Sequence, residues 1–155
     1  RFHLFDALTA VENVCVPFDL LGWPRPKART RALELLAQVG LPDKAASRVN
    51  RLSMGQRQRV AFARALAGDP DLILADEPTA SLDSDAGSSA MRVLRSLCRD
   101  LGKTVIVVTH DSRIYSMADR ILRLADGRIV GTETPPSQHV DRPAATATTG
   151  LRRSA

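Results

Sequence analysis

The sequence predicts an α/β chain in which a helical arm comes first and a short parallel sheet follows. Two wholly apolar runs, "LILA" at 72–75 and "VIVV" at 105–108, are bounded by turn residues and read as strands buried on both faces. Helical spacing at Met91, Leu94, Leu97 and Leu101 fills the stretch between them. A strand, a helix and a second strand imply a parallel pair joined by a right-handed crossover. Helical periodicity also recurs ahead of the first strand, which places an all-helical region before the sheet.

Each element has its own local justification. Thr9 with Glu12 is a capping-box pattern, so a helix starts at Ala10 and runs toward Gly22, bent or interrupted at Pro17. Pro24 and Pro26 suit the start of a second helix, whose Ala28, Ala32, Leu35, Leu36 and Val39 fall on one face before Gly40 and Pro42 stop it. Residues 41–52 lack a period and read as a connecting loop. Ser53 with Gln56 repeats the capping-box pattern and opens a helix through "RQRVAFARALA" that ends at Gly68 and Pro70. In "RILRLADGRIV", Asp126 and Gly127 sit between alternating apolar runs, a hairpin signal. From Glu133 onward Pro, Thr, Ala and Ser dominate without a period, and a disordered tail is expected over 132–155.

Composition narrows the function classes. With 155 residues, 44% of them hydrophobic and 25% charged, the chain has the make-up of one soluble domain with a core. The net charge of +5 is dispersed, and its densest cluster, "RPKARTR" at 25–31, reads as the solvated face of a helix, so no nucleic-acid partner is expected. Cys15 and Cys98 lie far apart with no zinc spacing and read as core residues of a reducing, cytoplasmic compartment. No run approaches the roughly 20 apolar residues of a membrane span, so membrane association is expected through a partner.

The chemistry concentrates at the strand exits. "LILADEPTASLD" at 72–83 leaves Asp76 and Glu77 at the end of the first strand, and Thr109, His110 and Asp111 stand at the end of the second. Ligands of parallel sheets gather outside such carboxyl ends, so both groups are expected to face one crevice. On the residues alone, the acidic pair reads either as catalytic or as a polar strand terminator. Ser53 and Gln56 read as a cap for their own helix, or Ser53 and Gly55 as an anion site at its positive end.

Three segments, "LSMGQRQRVAFARAL", "DLILADEPTASLD" and "VIVVTHD", in this order and at these separations, resemble the signature motif, Walker B strand, D-loop and H-loop of ABC-transporter ATPase domains. "RFHLFDALTAVENV" is similar to the stretch that follows the family's Q-loop glutamine, and the resemblance covers about residues 1–131. It implies an incomplete P-loop NTPase fold of the ABC ATPase type, with a helical subdomain at 9–51 and a partial parallel sheet within 52–131. It further implies ATP and Mg²⁺ as cofactors. Asp76 would support Mg²⁺ through water, Glu77 would polarise the attacking water as general base, and His110 would contact the γ-phosphate. Ser53, Gly55 and Gln56 would serve the nucleotide of a second ATPase subunit, and Asp83 would reach across that dimer. Met54 departs from the family pattern, which generally has glycine there. Integral-membrane permease subunits are the further partners implied, with the ATPase peripheral on the cytoplasmic face. The "LTAVENV" stretch and compact arm look similar to the lipoprotein-release and macrolide-export group.

The same resemblance exposes a gap. Phosphoryl transfer in this class depends on G-x-x-x-x-G-K-[ST], and the chain holds no such motif. "GKT" at 102–104 is a decoy, because Leu97 stands where the first glycine belongs and the triplet leaves a helix to enter a strand; Gly102 reads as a helix C-cap. The chain is therefore expected to be the C-terminal two-thirds of an ATPase domain, inactive in isolation. Two other readings remain: a non-catalytic remnant, and a DNA-repair type ATPase, which would carry a coiled coil or zinc insertion in place of the short arm.

Overall fold

A computed structural model describes residues 2–135 of the chain. Contacts divide it into two compact units, Arg1–Ala118 and Asp119–Ala155.

The first unit opens with helix α1 (Ala10–Leu20), whose capping box is complete. The Thr9 hydroxyl accepts from Glu12 N at 3.3 Å, and the Glu12 carboxylate accepts from Thr9 N at 2.7 Å. Pro17 lies inside α1 without ending it, and Leu21 N still donates to the Pro17 carbonyl at 3.0 Å. Only the bond that Pro17 itself cannot donate is forfeited. Helix α2 (Arg25–Gln38) follows, with Pro24 at its N-cap and Pro26 in its first turn, where missing N–H groups cost nothing. Its Ala28, Ala32, Leu35 and Leu36 are buried, as the spacing required. The connecting stretch after it contains two short 3₁₀ turns, Pro42–Lys44 and Val49–Arg51. Helix α3 (Met54–Leu66) packs against both α1 and α2, and Phe18, Leu35, Leu36 and Val60 meet in the resulting core.

Strand β1 (Leu72–Asp76) and strand β2 (Thr104–Val108) pair in parallel, with Leu72 opposite Thr104 and Asp76 opposite Val108. Helix α4 (Ser84–Asp100) makes the crossover between them and shares the core through Ala90, Met91, Leu94 and Leu97. The expectation that both strand faces are buried fails. Ile73 is buried and Val105 and Val107 pack against the core, but Leu74 is 72% and Val108 62% exposed. Alternation sends successive side chains to opposite faces, and the described chain supplies packing helices to only one of them.

Gly102 is the C′ residue of α4, at φ +66°. Lys103 N donates to the Cys98 carbonyl at 2.7 Å and Gly102 N to the Arg99 carbonyl at 3.2 Å, the paired bonds of a Schellman cap. Lys103 is held by Asp69, Nζ to Oδ1 at 2.8 Å, and Thr104 opens β2. All of "GKT" is thus committed to ending a helix and starting a strand.

The second unit contains strands β3 (Ile121–Ala125) and β4 (Arg128–Glu133), antiparallel around Asp126 and Gly127. Both turn residues have positive φ, +49° and +73°, as the two-residue hairpin demands. β4 continues through Glu133, where Arg123 pairs with it at 2.7 Å, so the strand enters the stretch expected as a tail. The rest of that expected tail, from residue 136, lies outside the described residues.

Candidate functional site

The parallel register brings the ends of β1 and β2 level, and the chain then turns abruptly. Glu77 N donates to the Val108 carbonyl at 2.8 Å, extending the ladder by one bond past Asp76. Glu77 itself adopts φ +43°, a left-handed conformation that costs a non-glycine residue of order 1 kcal/mol and persists only where its surroundings hold it.

What holds it is the exit of β2. The Glu77 carboxylate accepts from the Thr109 hydroxyl at 3.0 Å through Oε2, and from His110 N at 3.1 Å through Oε1. His110 Nδ1 lies 2.7 Å from the same Oε1. These contacts hold the Glu77 carboxyl below the usual carboxylate range, the His110 ring first among the causes. A carboxylate kept ionised and aimed by three contacts from two residues is suited to accept a proton from water. Thr79, Ala80, Leu82, Asp111, Ser112 and Arg113 complete, with Glu77 and His110, the lining of a cavity of about 370 Å³ beside this pair.

Asp76, expected to support a metal, lies at the strand end with an exposed carboxylate that has no partner among the described residues. The expected signature residues form a separate group. Ser53 is exposed at the N-cap of α3, accepting from Gln56 N at 3.2 Å, while Gln56 Oε1 accepts from Ser53 N at 2.9 Å. Both alternative readings of the pair are thereby compatible with one geometry: the box caps the helix, and the hydroxyl still faces solvent. Gly55 is buried, and a Cβ added there would lie 3.5 Å from the Ala86 side chain, so the first turn of α3 packs on the first turn of α4. Asp83 caps that second helix, its Oδ1 accepting from Ala86 N at 2.8 Å. None of Ser53, Gly55 and Gln56 lines the cavity beside Glu77. Met54 lines a smaller cavity with Phe2, Leu4 and Val49, on the side of the N-terminal segment.

Sequence reasoning gave no role to Thr79 or Arg113, and left Thr109 and Asp111 as neighbours of His110. The Thr79 hydroxyl, 2% exposed as a residue, donates to Asp111 Oδ2 at 2.8 Å. Arg113 grips the same carboxylate through Nε and Nη2, both at 2.7 Å. The sequence signal was the pair of hydroxyl residues two positions after Glu77 and immediately before His110, each within reach of a carboxylate.

A short parallel pair with a carboxylate and a histidine meeting at its exits, and a capped, exposed helix start carrying "LSMGQ", defines a class of nucleotide-dependent ATPase domain. The chain belongs to the ABC transporter family, whose model matches residues 1–80. It is 50% identical over 141 residues to the macrolide export ATP-binding/permease protein MacB of Burkholderia pseudomallei, covering 91% of this chain and 21% of that protein. It is 48% identical over 131 residues to the methionine import ATP-binding protein MetN 2 of Rhodococcus jostii, covering 84% of this chain and 38% of that protein. The chain thus spans between about a fifth and two fifths of the length of these relatives. Among solved structures, it matches a dimeric post-hydrolysis state of the ATP-binding cassette MJ0796 bound to ADP and Pi. That match has a TM-score of 0.71 and 44% identity, and covers 88% of this chain and 60% of that one. The cbiO1 structure from Clostridium perfringens, part of the ABC transporter complex cbiONQ, matches with a TM-score of 0.78 and 30% identity over 86% of this chain and 53% of that one. The expected fold class, an α/β ABC ATPase fold with a partial sheet, is the one found.

Proposed function

We propose that the chain is the portion, from the helical subdomain to the H-loop, of the ATP-hydrolysing component of an ABC transporter, coupling hydrolysis to transport by membrane subunits. The observation that carries this is the meeting of Glu77 and His110 at 2.7 Å across two parallel strand exits, beside an open cavity. Glu77 takes a proton from the water that attacks the γ-phosphorus, and His110, 85% exposed, is free to reach the γ-phosphate while fixing the Glu77 carboxylate. Residues 9–51 are the helical subdomain, and 52–131 carry the signature, Walker B, D-loop and H-loop.

A magnesium ion fits the donor set present. Among the described residues no group of three or more His, Cys, Asp or Glu could hold a metal alone. Hard Mg²⁺ keeps several waters and takes one or two carboxylates plus substrate phosphates, which suits the single exposed carboxylate of Asp76. When bound, the ion neutralises charge on the phosphates.

Ser53, Gly55 and Gln56 present a hydroxyl and backbone N–H groups at a helix start, the positive end that favours an anion. Their separation from the Glu77 cavity suits them to a nucleotide held by a second ATPase subunit, with Asp83 at the same junction. The dimeric cassette relatives and the transporter names of MacB, MetN 2 and cbiO1 support a dimer with permease partners. No described helix is long and apolar enough to cross a membrane, and docking on the cytoplasmic face of a membrane complex follows from the proposed partners.

The test is Glu77→Gln in the full-length protein. ATP binding is expected to stay within about twofold of wild type while steady-state turnover falls by roughly a hundredfold to ten-thousandfold, the usual worth of a general base. Turnover near the wild-type rate would remove Glu77 from that role.

A further inference from the structure

The Glu77 carboxylate is one station on a line of hydrogen bonds that the chain itself closes into a circuit. Its Oε2 takes the single proton of the Thr109 hydroxyl at 3.0 Å, so that hydroxyl must act as acceptor toward Asp111 N, which donates to it at 3.0 Å. Asp111 Oδ2 in turn accepts from the Thr79 hydroxyl at 2.8 Å, and Thr79 is bonded through Pro78 back to Glu77. Every donor and acceptor on the circuit has one consistent direction. Asp111 has no spare capacity: Oδ1 accepts from Arg113 N at 3.1 Å and Nε at 2.7 Å, and Oδ2 from Thr79 and from Arg113 Nη2 at 2.7 Å.

We propose that Asp111 and Thr79 are positioning residues for the Glu77–His110 pair, tying the turn after β1 to the exit of β2. This rests on the ATPase reading of that pair. The turn needs such a tie, because Glu77 sits in a left-handed conformation at φ +43° that its own side chain does not favour. Thr79 supplies it from a buried position at 2% exposure, where an unmet hydroxyl would be costly. Arg113 keeps the Asp111 carboxylate ionised and fixes its plane by the forked pair, so the oxygen facing Thr79 cannot swing away. A shift of the Thr79 turn would therefore move Glu77.

Full-length Thr79→Val, Thr79→Ser and Asp111→Asn separate these ideas. Valine keeps the shape of threonine without its donor, and asparagine puts an amide where two oxygens now accept from Arg113 and Thr79. Thr79→Val and Asp111→Asn should each lower kcat by about tenfold or more, since small misplacements of a catalytic group cost up to a hundredfold. KM and the binding of a nonhydrolysable ATP analogue should stay within about twofold, and Thr79→Ser should retain wild-type kcat. Because both variants cut one circuit, the double variant should be no slower than the slower single one. A wild-type kcat in Thr79→Val overturns the proposal, as does a fall in kcat matched by an equal loss of analogue binding. If Asp111→Asn does not fold, Thr79→Val decides alone. Glu77→Gln, run alongside, distinguishes the two failures: full turnover there sinks the ATPase reading, whereas an inactive Glu77→Gln beside a fully active Thr79→Val sinks only the positioning role.

Discussion

His110→Ala removes one of the three donors that hold the Glu77 carboxylate, and leaves the other two. The lost contact is Nδ1 to Oε1 at 2.7 Å; the His110 backbone N–H at 3.1 Å and the Thr109 hydroxyl at 3.0 Å survive, because neither uses the imidazole. The base is therefore expected to remain in place, and the loss falls on the γ-phosphate contact and on the aim of Oε1. Removing one preorganised donor from a transition state costs about a hundredfold to a thousandfold in kcat. The fold should hardly notice, since the ring is 85% exposed, and the melting midpoint is expected to stay within about 2 °C of wild type. The pH profile adds a second readout. His110 is the largest cause holding the Glu77 carboxyl below the usual range, so its removal raises that value. A carboxylate with a lowered folded-state value is ionised down to lower pH, and its stabilising contribution is lost only as pH falls through that value. The acid limb of residual turnover should thus lie at higher pH in His110→Ala than in wild type. The assay is kcat from acid to neutral pH on the full-length protein, with analogue binding measured in parallel. A variant with wild-type kcat, or with reduced kcat and an unmoved acid limb, would refute the coupling of these two side chains.

Gly102→Ala tests the decoy. A Cβ there meets nothing within 4 Å, so the cost is that of a left-handed alanine at φ +66°, about 1 kcal/mol, read as a lower melting midpoint with ATP binding unchanged. Loss of ATP binding without a melting shift would instead assign the glycine to a phosphate. Phe18→Ala, at 1% exposure beside Trp23, should destabilise the helical arm by about 3–5 kcal/mol in a denaturant titration, and a change below about 1 kcal/mol would show that the arm lacks the core described. The 155-residue chain by itself, having no phosphate-cradling G-x-x-x-x-G-K-[ST], should hydrolyse no ATP and should scatter light as it associates through exposed Leu72, Leu74, Ile106 and Val108. A monodisperse chain that turns over ATP unaided would overturn the reading of the whole site.

Local chemistry made much of this protein legible in its sequence. The capping boxes at Thr9 and Ser53, the Schellman cap after α4 and the hairpin turn at Asp126 and Gly127 act within five residues along the chain, and the apolar stripe of α2 repeats at helical spacing, so residue order alone determines them. Residue order also placed Asp76, Glu77 and His110 at strand exits, because a strand ends where its apolar run ends. Tertiary structure decided what lies across those exits. That Thr109 would give its proton to Glu77, and that Thr79 would give its hydroxyl proton to Asp111, joins residues 32 positions apart that meet only once β1 and β2 are in register. It also decided which face of the strand pair is covered. "LILA" and "VIVV" are apolar throughout and carry no mark of sidedness, so only the packing of the core helices distinguishes buried Ile73 from exposed Leu74. A side chain's burial depends on what the rest of the chain brings to its face, and that is a property of the fold and not of the neighbouring residues.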